Sequence, residues 1–167
     1  MSQVLACHRR PESEGVNPLT VQAVRYLETD GCLYMGYSKR GTATAHAFPR
    51  VSFAQAAHRA IPMMDLLDKG FGIKGSRHWL TKGTARKGAV MTWQTNQRNV
   101  WLVVSQALPH LIVKRQQFQL AYEFLELFEA LPDRGPSGRK RWTPELRAHS
   151  LELHVEMAHL NRKGRKE

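Results

Sequence analysis

The sequence predicts an α+β fold in which a helix followed by two strands occurs twice and further helices come after. Apolar residues switch several times between helical spacing and strict alternation, and glycine or proline marks most of these switches. A chain of 167 residues is long enough to form one domain with a substantial core. The expected order is therefore α-β-β-α-β-β followed by helices, with the four strands in one antiparallel sheet.

The first helix and the first two strands have clear boundaries. Asn17 followed by Pro18 is a helix N-cap with proline at the first helical position, and the helical spacing continues until Gly31. From Cys32 to Arg40 apolar and polar residues alternate, and residues 48–55 alternate again. Two alternating runs separated by a connection of glycine, threonine and alanine predict a long hairpin.

The second half of the pattern repeats the first. The stretch "IPMMDLLDKGFG" predicts a short helix with Pro62 near its start and Gly70 near its end. Strands are expected within "IKGSRHWLTKG" and "GAVMTWQT", which "KGTARKG" joins. The remaining helices are expected at about 98–108, 115–131 and 143–161.

The expected organisation is a loose segment over residues 1–16, a single domain over 17–164 and a basic tail over 165–167. No apolar run approaches the length of a membrane span, and the N-terminus lacks a charged-then-apolar leader. We therefore expect a soluble, intracellular protein with no membrane partner, in a compartment that the sequence does not identify. Cys7 and Cys32 are too few for a disulfide framework and are expected to be free thiols.

The charge of the chain points to an anionic partner. There are 25 lysine and arginine residues against 14 acidic ones, a net charge of +11, and nucleic acid is the first candidate for such a surface. Between Gly31 and Thr95 ten basic residues oppose two aspartates. Helices cover only the apolar face of an antiparallel sheet, so the other face is predicted to contact bases and phosphates, although any one of its residues could simply be solvated. The side chains expected on this face are Tyr34, Ser38, Arg40, His46, Arg50, Ser52 and Arg77.

Two carboxylates lie at the unfavourable end of the first helix. Glu28 and Asp30 occupy its last turn, where the partial negative charge of the helix disfavours anions. Lysine or arginine is the usual choice there, so some cation must compensate for these acids.

The stretch "AVRYLETDG", residues 23–31, resembles the motif of the LAGLIDADG homing endonucleases, with Asp30 and Gly31 as its final acid and glycine. The predicted order of elements is also similar, as are the downstream segments "LPHLIVKRQQFQLAYEFLELFEAL" and "MAHLNRKG". The resemblance covers roughly residues 17–164 and implies a four-stranded sheet saddle with additional C-terminal helices. The chain departs from the motif at Arg25 and Thr29, where the family has glycine and another small residue.

The resemblance implies a set of site residues. Asp30 and the backbone carbonyl of Thr29 correspond to the family's metal ligands, and oxygen ligands of this kind suit Mg²⁺ or Mn²⁺. Lys114 corresponds to the lysine that reaches the active-site water and phosphate. Gln55 and Arg59 correspond to an active-site glutamine and a basic residue, which completes the catalytic set Asp30, Gln55, Arg59 and Lys114.

A single copy of the motif supplies one acid and half a saddle, so the resemblance implies the single-motif homodimeric branch of the family. The implied activity is that of an intron-encoded, metal-dependent endonuclease. It would hydrolyse one phosphodiester on each strand of a long pseudo-palindromic double-stranded DNA target and leave short 3′ overhangs. A catalytically inactive RNA-binding intron maturase and a DNA-binding regulator on the same fold remain alternatives. The presence of both Asp30 and Lys114 favours the enzyme and makes RNA the less favoured partner.

Eight histidines raise a rival hypothesis, an H-N-H or zinc nuclease. His149, His154 and His159 are spaced five residues apart, so they do not share one face of a helix, and no cysteine pair accompanies them. These histidines are better explained as surface or packing residues.

Overall fold

A computed structural model describes residues 17–38, 46–81, 88–132 and 142–163. These residues form an α+β fold with one four-stranded antiparallel sheet and five α-helices, which confirms the predicted fold class and order of elements. The predicted loose segment 1–16, the basic tail 165–167 and Arg40 lie outside the described residues. None of the described helices is long and apolar enough to cross a membrane.

The helices and strands have the following bounds. The helices are α1 (Pro18–Asp30), α2 (Ala57–Phe71), α3 (Val100–Ala107), α4 (Arg115–Glu129) and α5 (Pro144–Lys163). The strands are β1 (Gly31–Ser38), β2 (His46–Ala56), β3 (Ser76–Thr81) and β4 (Val90–Gln94). A short 3₁₀ turn, Leu108–His110, follows α3.

Helix α2 begins earlier than its sequence pattern predicts. Strand β2 passes directly into the helix, and the amide of Ala57 donates to the carbonyl of Ala89 at 2.9 Å. Pro62, expected near the helix start, lies inside the helix instead. Because proline has no amide hydrogen, the helix lacks the hydrogen bond that residue 62 would otherwise donate to the carbonyl of residue 58.

The register of the sheet defines its two faces. The strand order is β1-β2-β4-β3, and one row of paired residues across it is Gly31, Phe53, Trp93 and Arg77. Phe53 and Trp93 are fully buried, so this row faces the helices. The next row is Cys32, Ser52, Gln94 and Ser76. Because successive side chains of a strand alternate between faces, this second row belongs to the opposite side, which we call the open face.

Helices α1 and α2 pack closely on the covered face. Ala23 and Leu27 of α1 are buried in the core. Gly70 of α2 lies so close that a Cβ atom added to it would be 2.7 Å from the Cβ of Ala23. The hydroxyl of Thr20 donates to the carbonyl of Gly70 at 2.7 Å. This contact fixes α1 on the sheet and thereby fixes the position of its acidic C-terminus.

Helix α5 is bonded to the backbone of the first hairpin. The amide of Ala47 donates to the hydroxyl of Ser150 at 3.1 Å, and the Asn161 amide donates to the carbonyl of Leu33 at 2.9 Å. His154 Nδ1 lies 2.7 Å from the carbonyl oxygen of Met35. Because a carbonyl oxygen only accepts, Nδ1 must carry the hydrogen. The sequence hypothesis that His154 is a packing residue agrees with this contact.

Candidate active site

Lys114 compensates for the acids at the end of α1. Its ammonium group donates to the carbonyls of Leu27 at 2.7 Å and Gly31 at 2.6 Å. Carbonyls at a helix C-terminus have no partners within the helix, and a cation is the favoured group beside them. A lysine from the start of α4, more than eighty residues further along the chain, therefore caps the helix that carries Asp30.

The environment of Lys114 lowers the pKa of its ammonium group. Burial is the main cause, since desolvation disfavours the charged form. Cys32, Asp30 and Glu28 act in the opposite direction through their charges. The sequence context, in which Lys114 follows apolar residues 111–113 and precedes a helix start, predicts a lowered pKa from desolvation and the helix dipole, and the structure agrees in direction and on desolvation.

Glu28 binds the segment that leads to Lys114. Its Oε1 atom accepts hydrogen bonds from the amides of Ile112 and Val113, the second at 2.7 Å. These amides precede α4, which begins at Arg115, so the carboxylate lies at the positive end of a second helix. The carboxylate that is unfavourable for α1 is thus favourable for α4.

Asp30 and Gln55 meet at the junction between α1 and the end of β2. Gln55 Nε2 donates to Asp30 Oδ2 at 3.3 Å, while Gln55 Oε1 accepts from the Ala56 amide at 2.9 Å. The second bond fixes the orientation of the Gln55 amide and directs its NH₂ group toward Asp30. Arg59 lies in the first turn of α2 with an exposed side chain and forms no hydrogen bond or ion pair within the described part of the chain. The structure therefore brings Asp30, Gln55 and Lys114 together around one helix end, and among the described residues Arg59 is not bonded to any of them.

The oxygen atoms at the C-terminal end of α1 suit a hard cation such as Mg²⁺, but there are few of them. Asp30 offers an exposed carboxylate and Thr29 a backbone carbonyl, which are oxygen ligands of the kind that Mg²⁺ binds while it retains several waters. Across the described residues no group of three or more histidine, cysteine, aspartate or glutamate side chains is arranged to hold a metal. A metal here would need further oxygen ligands from outside this chain.

Comparisons with known proteins identify the fold. No family model and no curated protein matches the sequence. The homing endonuclease I-CvuI, solved in complex with its target, matches with a TM-score of 0.63 at 14% identity over 84% of this chain and 80% of its own. The homing endonuclease I-TnaI matches with a TM-score of 0.62 at 20% identity over 86% of this chain and 93% of its own. The LAGLIDADG meganuclease I-AabMI, solved bound to uncleaved DNA, matches with a TM-score of 0.52 at 11% identity over 68% of this chain and 37% of its own.

The chain has the LAGLIDADG homing endonuclease fold. In this fold α1 is the motif helix, and the sheet that follows it is the saddle that the sequence resemblance implied.

Three predicted saddle residues lie on the open face, on adjacent strands. Tyr34 pairs with Arg50 in the register, and the hydroxyl of Tyr34 accepts a hydrogen bond from the Gln94 amide. Arg50 is exposed and passes so close to Gly36 that a Cβ there would lie 2.6 Å from its Nε. Ser52 donates to the carbonyl of Cys32 at 3.5 Å. Ser38, at the end of β1, lies an even number of residues from Tyr34 and therefore belongs to the same face of the strand.

The prediction that Arg77 shares this open face was wrong. Arg77 pairs with Trp93 on the covered face, where its guanidinium forms ion pairs with Asp65 at 2.8 Å and Asp68 at 2.5 Å. Asp68 also accepts hydrogen bonds from the Gly75 amide at 2.8 Å and the Trp93 indole at 2.7 Å. The positive charge of Arg77 is therefore used to attach β3 to α2.

His46 also differs from its predicted environment. Its ring lies against Trp142, with the ring centroids 4.3 Å apart. Trp142 also contacts Phe48 and Phe128, whose rings are 4.9 Å from each other. The start of β2 is thus covered by an aromatic cluster, so His46 packs against indole instead of presenting its ring freely on the saddle.

The saddle has residues that the sequence reasoning missed. Gln94, Ser76 and His78 lie on the open face by register, and all three have side chains that donate or accept hydrogen bonds. A strict count of alternation outward from Trp93 would have found Gln94, because neighbours in a strand face opposite sides. Glu28 was identified as an acid in the last turn of the first helix but not as the acceptor for the Ile112 amide, a contact that no local pattern indicates.

Proposed function

We propose that this chain is a site-specific, divalent-metal-dependent DNA endonuclease, encoded within an intron and active as a homodimer. The observation that carries the proposal is the convergence of Asp30, Gln55 and Lys114 at the C-terminal end of α1, where it meets β1 and the end of β2. Acidic, amide and cationic groups in one place suit hydrolysis of a phosphodiester, in which a metal and a cation offset the charge of the phosphate.

Each group has a distinct role in this proposal. Asp30, with the carbonyl of Thr29, would hold Mg²⁺ or Mn²⁺, which supplies charge stabilisation at the phosphate when bound. Gln55 orients the Asp30 carboxylate and reaches the attacking water. Lys114 places a partly desolvated positive charge beside the scissile phosphate. Arg59 is expected to approach the phosphate from α2 only when DNA is bound.

A homodimer follows from the number of acids. One chain offers one motif carboxylate at this helix end, and a second copy would supply the other. Gln22, Arg25 and Thr29 form an exposed stripe on α1 that is available for a second copy of the helix. The Thr29 hydroxyl bonds to carbonyls of its own helix, at 3.1 Å for Tyr26, so its polar group needs no partner in such an interface. The match covers 80% of the I-CvuI chain but 37% of the I-AabMI chain. These shares support a chain that corresponds to one half of a larger enzyme such as I-AabMI.

The expected target is double-stranded DNA with two related half-sites, one for each saddle. Tyr34, Arg50 and Ser52 would contact one half-site from each chain, together with Gln94, which pairs with Ser52 on the next strand. Cleavage of both strands between the half-sites, leaving short 3′ overhangs, completes the proposed activity.

The test is incubation of the purified protein and Mg²⁺ with a randomised DNA library, followed by sequencing of the cut ends. A recurrent pseudo-palindromic sequence with a fixed stagger of 3′ overhangs is the expected result. The Asp30→Asn variant is the matched control, because it keeps the size of the side chain and removes its charge. Selective DNA or RNA binding without any cleavage would favour the inactive regulator or the maturase instead.

A further inference from the structure

The two residues between the buried Leu111 and Lys114 are not anchored by their own side chains. Ile112 is 83% exposed and Val113 is 78% exposed, although both are apolar and β-branched. No side chain caps the start of α4 at Lys114. Burial of side chains therefore holds the chain at Leu111 but not at Ile112 and Val113.

The backbone of this segment is held by one carboxylate oxygen. Glu28 Oε1 accepts from both the Ile112 and the Val113 amides. Lys114, the next residue, reaches back to the carbonyls of Leu27 and Gly31 on either side of the same helix end. Four hydrogen bonds thus join the end of α1 to the segment that leads into α4. Glu28 accepts two of them from backbone amides, and Lys114 donates the other two to backbone carbonyls.

We propose that Glu28 is a positioning residue that acts through the Ile112 and Val113 amides to fix the ammonium group of Lys114 beside Asp30. The inference rests on the proposed function, because it deepens the role given there to Lys114. Glu28 does this as a hydrogen-bond acceptor. Its negative charge is secondary, since a neutral amide oxygen accepts the same two bonds.

This role differs from that of a second metal ligand. A carboxylate that binds the metal needs its charge, whereas Glu28 acts on the two amides through Oε1 as a hydrogen-bond acceptor. Glu28→Gln separates the two roles, because it preserves an oxygen acceptor and removes the charge. Glu28→Met preserves the length of the side chain and removes the acceptor.

The kinetic test measures single-turnover cleavage and DNA affinity for both variants. We expect Glu28→Gln to cleave within about threefold of the unmodified enzyme. Glu28→Met should be slower by about 10- to 100-fold, as is usual for loss of a group that orients an active-site ligand, with unchanged DNA affinity. In a Lys114→Met background, Glu28→Met should cause no further loss. Glu126→Met, at an exposed position of α4, is the control and should cleave normally.

Two results would overturn the proposal. Equal loss of cleavage in Glu28→Gln and Glu28→Met would show that the charge matters, as in a metal ligand. If Glu28→Met lowers the cleavage rate by the same factor in the unmodified protein and in the Lys114→Met background, Glu28 acts on folding or on another group.

A second measurement keeps this inference separate from the proposed function. Amide hydrogen exchange at Ile112 and Val113, and acylation of the Lys114 amine by a water-soluble ester, need no cleavage. Both should increase in Glu28→Met and stay unchanged in Glu28→Gln. If the unmodified protein cuts no DNA but these changes occur, the proposed function fails and the positioning contact stands. If neither exchange nor acylation changes in Glu28→Met, the positioning role is wrong whether or not the protein cuts DNA.

Discussion

The aspartates of α1 and α2 differ in what their oxygen atoms already bind. Asp68 on α2 accepts from the Gly75 amide and the Trp93 indole through one oxygen and forms an ion pair with Arg77 through the other. Asp30 at the end of α1 is exposed and accepts one bond, from Gln55, at 3.3 Å. A carboxylate has about four acceptor sites, so Asp68 is nearly saturated while Asp30 retains most of its capacity.

This difference separates a structural acid from one available to a ligand. Both residues are aspartates near a helix end in a strongly basic chain, so composition does not distinguish them. The partners do, because removing Asp68 would leave the Gly75 amide and the Trp93 indole without acceptors and Arg77 with Asp65 alone, whereas removing Asp30 would affect one exposed amide. The same contrast applies to the cations, since Arg77 is neutralised by two acids, whereas the bonds of Lys114 within the described residues go to carbonyls.

The largest expected effect is the loss of cleavage in Asp30→Asn. The substitution removes the carboxylate proposed to hold the metal and keeps the Gln55 contact possible, so cleavage in Mg²⁺ should be abolished. DNA affinity should stay the same or increase, because a negative charge near phosphate is gone. Gel-shift and cleavage assays on one target measure both quantities. Asp65→Asn is the control, and substantial cutting by Asp30→Asn would remove Asp30 from the metal site.

Lys114→Met is expected to have the next largest effect. If the ammonium group offsets charge at the phosphate or assists the water, single-turnover cleavage should fall by a factor of about 10²–10⁴. DNA affinity should change little, because the ammonium is half-buried and bonded to Leu27 and Gly31. A parallel fall in affinity and cleavage would make Lys114 a simple phosphate contact.

Asp68→Ala should act on stability instead of catalysis. It leaves the Trp93 indole and the Gly75 amide without acceptors and Arg77 without its closer partner, at a cost of about 2–4 kcal/mol in the free energy of unfolding. Urea unfolding measures this cost, and cleavage at low temperature should be retained. Asp65→Ala, whose side chain is 49% exposed, should cost less than about 1 kcal/mol. Similar losses for both would mean that Asp68 has no special role.

The order of elements was predictable because it depends on local signals. Helical spacing, alternation, glycine and proline lie within single segments, and each helix of the structure overlaps a predicted one. The position of Asp30 is local too, since an acid followed by Gly31 ends the first helix. The pairing of Asp30 with Gln55 and Lys114 came from the resemblance to a family, because contacts between distant residues leave no mark in one sequence.

The face of Arg77 was not predictable for a specific reason. Strand β3 is short and its residues 76–80 are all exposed, so it has no apolar alternation that would indicate which parity is buried. The face is set by pairing with Trp93 and by the acids of α2, none of which belongs to strand β3 itself. Glu28 presents the same difficulty, since its bonded amides are 84 and 85 residues away.

The smallest expected effect compares Arg50 on the open face with Arg77 on the covered face. If Arg50 reads a base edge, Arg50→Ala should lose about 1–3 kcal/mol of binding and relax sequence preference at one position in each half-site. If it contacts a phosphate, all sequences should weaken alike, and the salt slope of log K should become shallower by about 0.9 per contact, hence roughly 1.8 per dimer.

Arg77→Ala should show neither signature, because its guanidinium is already paired with two carboxylates and lies beside Trp93. Its substitution should instead lower the free energy of unfolding and leave Asp68 with one partner fewer. Binding titrations at several salt concentrations, with a panel of single-base variants of the target, separate these outcomes. If Arg50→Ala leaves DNA affinity, sequence preference and salt slope unchanged, Arg50 does not contact DNA, and the open face loses its main proposed cation. The saddle would then have to bind DNA through Tyr34, Ser52 and Gln94, or the endonuclease proposal would have to be withdrawn.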